Sequence, residues 1–398
     1  MKNTRVLISG ASIAGPALAW WLNRYGFETT VVERAPTLRE GGFAVDFRGS
    51  VHLEVLQRMG ILEEVRRRQT HMGGMSFIDV DGNVQASLPS WFTGGDVEIL
   101  RGDLSRILYE RTRTTSEYVF GDSITSLVET PGGVEVTFER GGSRTFDLAV
   151  GADGLHSNVR RLVFGDESQF LKFGGYYVAG GFNVPNHLGL DRRVVDYGVP
   201  GKSLSLGSYD DPKLAQPLFV FASEPLEYDR RDVEQQKRIL ADTYAGVGWE
   251  VPRVLEALRD ARSLYFDSIS QIHMDRVIKG RVALLGDAGF GATMGGLGTG
   301  LAVVGAYVLA GELAAAGGDH QVGFARYQAG FSSYARGCQK LANGAGAFLA
   351  PRTERDIRRR NRAYRVLASR PLAGLLNWMT TRAARAITLR DYAPPASA

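Results

Sequence analysis

Residues able to do chemistry begin at the tenth position. Gly10-Ala11-Ser12-Ile13-Ala14-Gly15 follows the apolar run Val6-Leu7-Ile8, and Val31-Val32 later closes in Glu33-Arg34. A strand, a small-residue turn, a helix and a second strand ending in an acid make one βαβ unit suited to a dinucleotide. Gly10 permits the sharp turn, position 12 governs how near the backbone comes to a pyrophosphate, and Gly15 lets the helix close on the strand. The phosphates then meet free N–H groups at the helix N-terminus, around Ala14. Glu33, about 20 residues on, is placed to accept from an adenosine ribose, with Arg34 beside it. Ser12 stands where the middle glycine belongs. Its Cβ crowds the phosphate approach, while its hydroxyl offers a donor. The turn alone does not choose between FAD and NAD(P).

Three further clusters follow in order. Arg101-Gly102-Asp103-Leu104 opens a helix, with Arg101 just outside it. Asp153-Gly154-Leu155-His156-Ser157-Asn158-Val159-Arg160 follows a strand and reads D-G-x-x-S-x-x-R. Leu284-Leu285-Gly286-Asp287-Ala288-Gly289 ends another strand, and a glycine-rich run from 295 to 300, with Gly298 and Gly300, enters a helix. Asp287 thereby falls at a strand's C-terminal end, where open α/β sheets bind ligands.

Together these motifs resemble the class A, para-hydroxybenzoate hydroxylase-like flavoprotein monooxygenases. The closest flavour is that of the tetracycline-inactivating and aromatic-polyketide hydroxylases, over residues 1–345. The resemblance implies that the first glycine turn and Glu33 hold the ADP half of FAD. It implies that Arg101 contacts the flavin nucleotide, that Asp287 binds the ribityl or pyrophosphate, and that the stretch from Asp153 to Arg160 serves both FAD and NADPH. Arg48, in Phe43-Ala44-Val45-Asp46-Phe47-Arg48, falls in the family's flavin-contacting loop, as a partner of the flavin or of NAD(P)H; a solvated arginine is the other reading. Asp153 and Arg160 also read as a structural lock. FAD is long, so separate anchors are needed for AMP, ribitol and flavin, and the N–H groups of the 295–300 run would stabilise negative charge on the reduced ring. One departure is that Gly291-Ala292-Thr293-Met294 lacks the proline family members commonly carry there.

The activity implied is hydroxylation of a polycyclic aromatic or polyketide-derived molecule, in antibiotic biosynthesis or resistance. NAD(P)H reduces the flavin, and O₂ then gives a C4a-hydroperoxide whose distal oxygen is inserted. No catalytic acid or base is named by the sequence. Two alternatives stay open: another flavoenzyme on this fold (a halogenase or an isoprenoid reductase), or a protein that sequesters a ligand without chemistry. Tyr176, Tyr177, Phe182, Tyr197, Tyr209, Phe219 and Phe221 are candidate walls of a flat pocket. No bidentate arginine clamp is evident among them, Arg192-Arg193 being adjacent but in a turn-like context, which argues against a small carboxylated phenol.

The elements that position these groups imply an α/β protein: a Rossmann-like FAD-binding domain, a second sheet-rich substrate domain and a C-terminal helix. The expected FAD-binding domain is discontinuous, over 1–75, 99–169 and 270–350. A substrate-binding sheet domain takes 76–98 and 170–269, and a bracing helix takes 351–390, where Leu372, Leu375, Leu376 and Trp378 help form an apolar side. Helical periodicity marks residues 51–68, 104–112, 233–243, 251–259 and 297–316, and Asp81-Gly82 marks a hairpin turn. Strands are expected over 119–127, 133–138 and 146–150. Trp91-Phe92 lies in a loop that could close over a planar ligand or form a small apolar cluster.

Composition agrees. The 398 residues are 44% hydrophobic and 23% charged, with net charge +4, which asks for no nucleic acid. Cys338 is the only cysteine and the six histidines are scattered, so no disulfide framework or metal site is expected. The apolar 297–316 stretch is long enough to cross a membrane, yet it follows a short strand directly and reads as a buried helix. The expectation is a cytoplasmic monomer or weak homodimer taking a small aromatic substrate, with no membrane or nucleic-acid partner.

Overall fold

A computed structural model describes residues 1–39, 41–90, 94–294, 297–367, 382 and 384–392. Trp91-Phe92, Gly295 and the run from Leu372 to Trp378 lie outside the described residues.

Val6, Leu7 and Ile8 are fully buried, as a strand covered on both faces requires. Their strand, Arg5–Ser9, lies inside a six-stranded sheet. Its order is Ile278–Lys279, Val282–Leu284, Leu148–Gly151, Arg5–Ser9, Glu28–Glu33 and Ser116–Phe120. Every neighbouring pair is parallel except the antiparallel edge at Ile278–Lys279. The helices Ala14–Arg24 and Gly298–Ala315 pack against each other and share this sheet's core. A three-stranded antiparallel sheet (Ile124–Thr130, Gly133–Phe138, Ser143–Phe146) adds Val134, Val136, Phe138 and Phe146 to the same core.

The second sheet runs Tyr265–Ile272, Leu171–Gly180, Leu214–Ala222, Lys202–Gly207, Val194–Val199, Met75–Ile78 and Val84–Leu88, with Val184–Pro185 paired to Leu214–Ala222. Helices Val233–Thr243 and Val251–Asp260 cover one face. Residues of Ala345–Leu349 and Glu354–Leu367 cover the other. A ribbon of Ala44–Phe47 and Val97–Leu100 supplies the loop bearing Arg48.

Several expectations need correction. The helix expected over 51–68 is two, Gly49–Arg58 and Leu62–Arg67, parted at Gly60, whose φ of +69° is the left-handed region glycine tolerates. The strand expected over 119–127 is also two. Ser116–Phe120 belongs to the parallel sheet and Ile124–Thr130 to the small one, with Gly121 at φ +72° turning the chain between them. Arg101 is the first residue of helix Arg101–Glu110, not a residue before it. Gly298–Ala315 is, among the described residues, the one helix long and apolar enough to cross a membrane, and most of it is buried in the core.

Candidate active site: a cofactor cleft at the strand ends

The parallel strands end together, and the turn after the first of them is tightly specified. Gly10 has φ +108°, and a side chain there would meet the Ala152 carbonyl at 2.5 Å. A Cβ at Gly15 would lie 1.9 Å from the Gly10 carbonyl oxygen. Both glycines are therefore required by close approach, as the dinucleotide turn demands. Ala14 is buried in the first helical turn. Glu33 stands at the end of the neighbouring strand, where its carboxylate accepts from Ala11 N–H at 3.0 Å and Ala35 N–H at 2.9 Å. Arg34, the next residue, is exposed.

Ser12 has a use the sequence does not reveal. Its hydroxyl oxygen accepts from the Arg101 guanidinium at 2.9 Å, and its carbonyl accepts from the Ser105 hydroxyl at 3.0 Å. The serine ties the turn to the helix that carries Arg101. Accepting from Arg101 leaves the hydroxyl proton of Ser12 available as a donor.

Asp287 opens the short helix Asp287–Phe290, after Gly286 at φ +60°. Its side chain is exposed yet ringed by protein, the condition of a group lining a deep cleft. Those surroundings push its carboxyl above the ordinary range, Arg101 pulls it back, and Asp267 adds to the rise. Gly298 lies beside it: a Cβ there would sit 3.7 Å from the Asp287 carboxylate, in ordinary contact. Gly300 is different. A Cβ would fall 2.0–2.5 Å from ring atoms of His52, so this glycine makes room for a buried imidazole.

Arg48 is not a solvated arginine. Its side chain is 14% exposed and pairs with Asp46, whose carboxyl burial raises and Arg48 lowers. Asp153 stands one layer behind the cleft. Its carboxylate accepts from the Ser9 and Ser157 hydroxyls and from Val159 N–H. Arg160 is fully buried, donating to the carbonyls of Ala288 and Leu155 and to Glu167. This motif thus locks the strand end to the helix that presents Asp287. His156 sits between Glu167 and Asp267, with one ring nitrogen 2.9 Å from a carboxylate oxygen of each.

The aromatic residues divide between the two faces of the second sheet. Tyr177, Phe182, Phe219 and Phe221 are core beneath the 233–260 helices, and Tyr197 packs on Trp249 of that side. Strand alternation puts Tyr177, Tyr197, Phe219 and Phe221 on the face opposite Tyr176. The other face presents Tyr176, with half-buried Phe43, Val194, Leu218, Met294 and Phe348. Phe43 belongs to the Arg48 loop and Met294 follows Asp287, so this face adjoins the cleft. Arg192 and Arg193 are exposed.

Glu33 beside the turn, Ser12–Arg101 across it, and Asp287 with Gly298 are separate polar anchors near the strand ends. That spacing of separate anchors fits a long dinucleotide. A family model described as "FAD binding domain" matches residues 3–329. The chain belongs to the class A FAD-dependent monooxygenases. An uncharacterised protein of Mycobacterium tuberculosis is 48% identical over 81% of this chain and 88% of its own length. A flavin-dependent monooxygenase of Legionella longbeachae is 37% identical over 82% of this chain and 84% of its own. Among solved structures, the tetracycline destructase Tet(51) superposes with TM-score 0.85 at 34% identity, covering 98% of this chain and all of that one. Tet(55), of the same description, gives 0.83 at 36%, covering 98% and 99%. In this monooxygenase FAD is the cofactor, and NAD(P)H is the reductant usual for the class.

Proposed function

We propose that this monooxygenase hydroxylates a fused-ring aromatic or polyketide-derived molecule, held between the cofactor cleft and the second sheet. The carrying observation is the half-buried apolar wall of Phe43, Val194, Leu218, Met294 and Phe348, which comes from five separate stretches of the chain and adjoins the cleft. Flat apolar walls with few polar groups suit planar ligands. Bound FAD supplies reductive activation of O₂ and delivery of one oxygen atom. The wall's part is to exclude water and aim the substrate. The structurally similar proteins named as tetracycline destructases support a fused-ring substrate.

In this reading Gly10, Ser12, Ala14, Gly15, Glu33 and Arg34 hold the ADP half of FAD, Arg101 and Asp287 the middle, and Gly298 the flavin end. Arg48 meets the flavin or the nicotinamide, while Asp153 and Gly300 support the site from behind. The deciding experiment measures product mass under ¹⁸O₂ across fused-ring phenols and simple benzoates. Turnover of the fused rings with one labelled oxygen is expected. Turnover confined to the benzoates would overturn the substrate class, and consumption of NAD(P)H without any labelled product would overturn hydroxylation.

A further inference from the structure

His52 lies on helix Gly49–Arg58, one turn after Arg48, and is wholly buried. Its Nδ1 accepts from the Arg48 backbone N–H at 3.1 Å. An imidazole nitrogen that accepts carries no proton, so Nε2 must carry it. Nε2 then donates to the Tyr334 hydroxyl at 2.8 Å, and that hydroxyl points on to the Ala384 carbonyl at 3.4 Å. Burial and the nearby Arg48 hold the imidazole neutral, its pKa brought down to about 3. The ring also fills the space that a side chain at Gly300 would need, and Phe47 meets it edge-on at 6.3 Å.

One ring therefore touches three separate parts of the molecule and reaches a fourth through Tyr334. It holds the N–H of the residue that opens the cleft-side helix, and it seats the first turn of the long core helix beside Gly298. Through Tyr334 it reaches helix His320–Leu341 and the C-terminal residues at 384. We propose that His52 is a positioning residue for the oxygenation reaction, fixing Arg48 and the first turn of the core helix against the flavin. It touches neither flavin nor substrate. The proposal rests on Arg48 facing the flavin, as in the functional reading above.

The two hydrogen bonds of the ring separate by substitution. His52→Asn keeps an oxygen where Nδ1 accepts from Arg48 and loses the reach to Tyr334. Tyr334→Phe cuts the far bond and leaves the Arg48 bond in place. His52→Ala removes both. With purified holoenzyme, the measurements are the visible spectrum of bound FAD, the rate of flavin reduction by NAD(P)H, and the melting temperature of the FAD-free protein. His52→Ala should shift the spectrum and slow reduction by between about 10- and 100-fold, the scale of a misplaced reacting partner. His52→Asn should restore spectrum and rate to within about twofold while remaining less stable, because the lost Tyr334 bond serves stability only. Tyr334→Phe should likewise change melting temperature and not the reduction rate.

If His52→Ala only lowers the melting temperature, with spectrum and rate intact, the ring is structural and the proposal falls. It falls equally if His52→Asn is as slow as His52→Ala. Arg48→Ala, measured alongside, separates the underlying reading. An unchanged reduction rate and spectrum there would overturn the flavin role of Arg48 and the proposal with it. A slowed Arg48→Ala beside an unaffected His52→Ala would overturn the His52 role alone.

Discussion

Glu33 accepts from two backbone N–H groups, which orients its carboxylate toward the turn. Glu33→Ala should weaken FAD by about 1.5–3 kcal/mol, the range for hydrogen bonds to a charged acceptor, or roughly 10- to 100-fold in Kd. Titration of the FAD-free protein followed by flavin fluorescence measures it; an unchanged Kd would remove Glu33 from the ribose site. His156 carries a pH effect. Carboxylates only accept, so an imidazole bonded to one through each nitrogen must donate from both, and the charged ring is the bonded form. Burial alone would lower its pKa, but the bonds to Asp267 and Glu167 carry it above the ordinary 6.5. Its contribution to stability is therefore full below 6.5 and is lost as pH rises through the raised folded-state value. Melting temperature should fall across that interval above 6.5 in the native protein. His156→Gln should be less stable at low pH and lack that part of the fall. The glycines, Glu33 and Asp287 were legible because their spacing is set by a local turn. Ser12's grip on Arg101 and His52's contact with Gly300 were not, because each joins residues far apart in the chain.

The core helix Gly298–Ala315 offers a paired test at its first turn. Gly300→Ala puts a methyl into the His52 ring, and overpacking of this kind costs about 1–3 kcal/mol. Gly298→Ala meets only ordinary contacts and gains helix propensity. Urea denaturation should show a clear loss for the first and little for the second; equal losses would mean that His52 does not define the space. Helices with a clear apolar side, Val233–Thr243 and Val251–Asp260, match their sequence periodicity. The parting at Gly60 and the split at Gly121 were hidden because a glycine inside an apolar pattern only sometimes breaks it. Helix His320–Leu341, begun by Asp319 accepting from Gln321 and Val322 N–H, is not among the elements expected from the sequence. The aromatic strands were recognisable as strands, but alternation does not say which face meets the cleft.

Across the whole molecule the C-terminal residues touch the second sheet and the core helix that packs with the first. Arg360 on helix Glu354–Leu367 is nearly buried, 3.9 Å from the fully buried Asp196 carboxylate of the second sheet, and lies over the Phe77 ring at 4.1 Å. Farther on, the Tyr392 hydroxyl donates to Glu312 at 2.8 Å and the Arg390 carbonyl accepts from Tyr307 at 2.6 Å, both on the core helix. Deleting residues from Pro351 onward should lower both melting temperature and substrate turnover, as expected for a segment that braces one sheet against the other. Full activity with an unchanged melting temperature would refute bracing. Arg360→Met should by itself cost about 3–5 kcal/mol, since it strands a buried carboxylate; thermal denaturation reads the loss, and a shift near zero would show Asp196 to be neutral in the fold.

The strand order of the parallel sheet has a consequence for how the chain comes to be folded. Arg5–Ser9 sits beside Leu148–Gly151, which in turn pairs with Val282–Leu284, and most of the second sheet lies between those two partners in the chain. A polypeptide emerging from the ribosome N-terminus first cannot complete its dinucleotide-binding sheet until residue 284 is out. The long core helix Gly298–Ala315, which packs against Ala14–Arg24, comes later still. Such long-range closure is slow and leaves apolar surface exposed in the interim. Nascent chains halted just short of Val282 should accordingly be cut readily by protease and retain no FAD, whereas chains extended past the core helix should resist. The strand Leu148–Gly151, flanked early by Arg5–Ser9, would wait more than a hundred residues for its other neighbour.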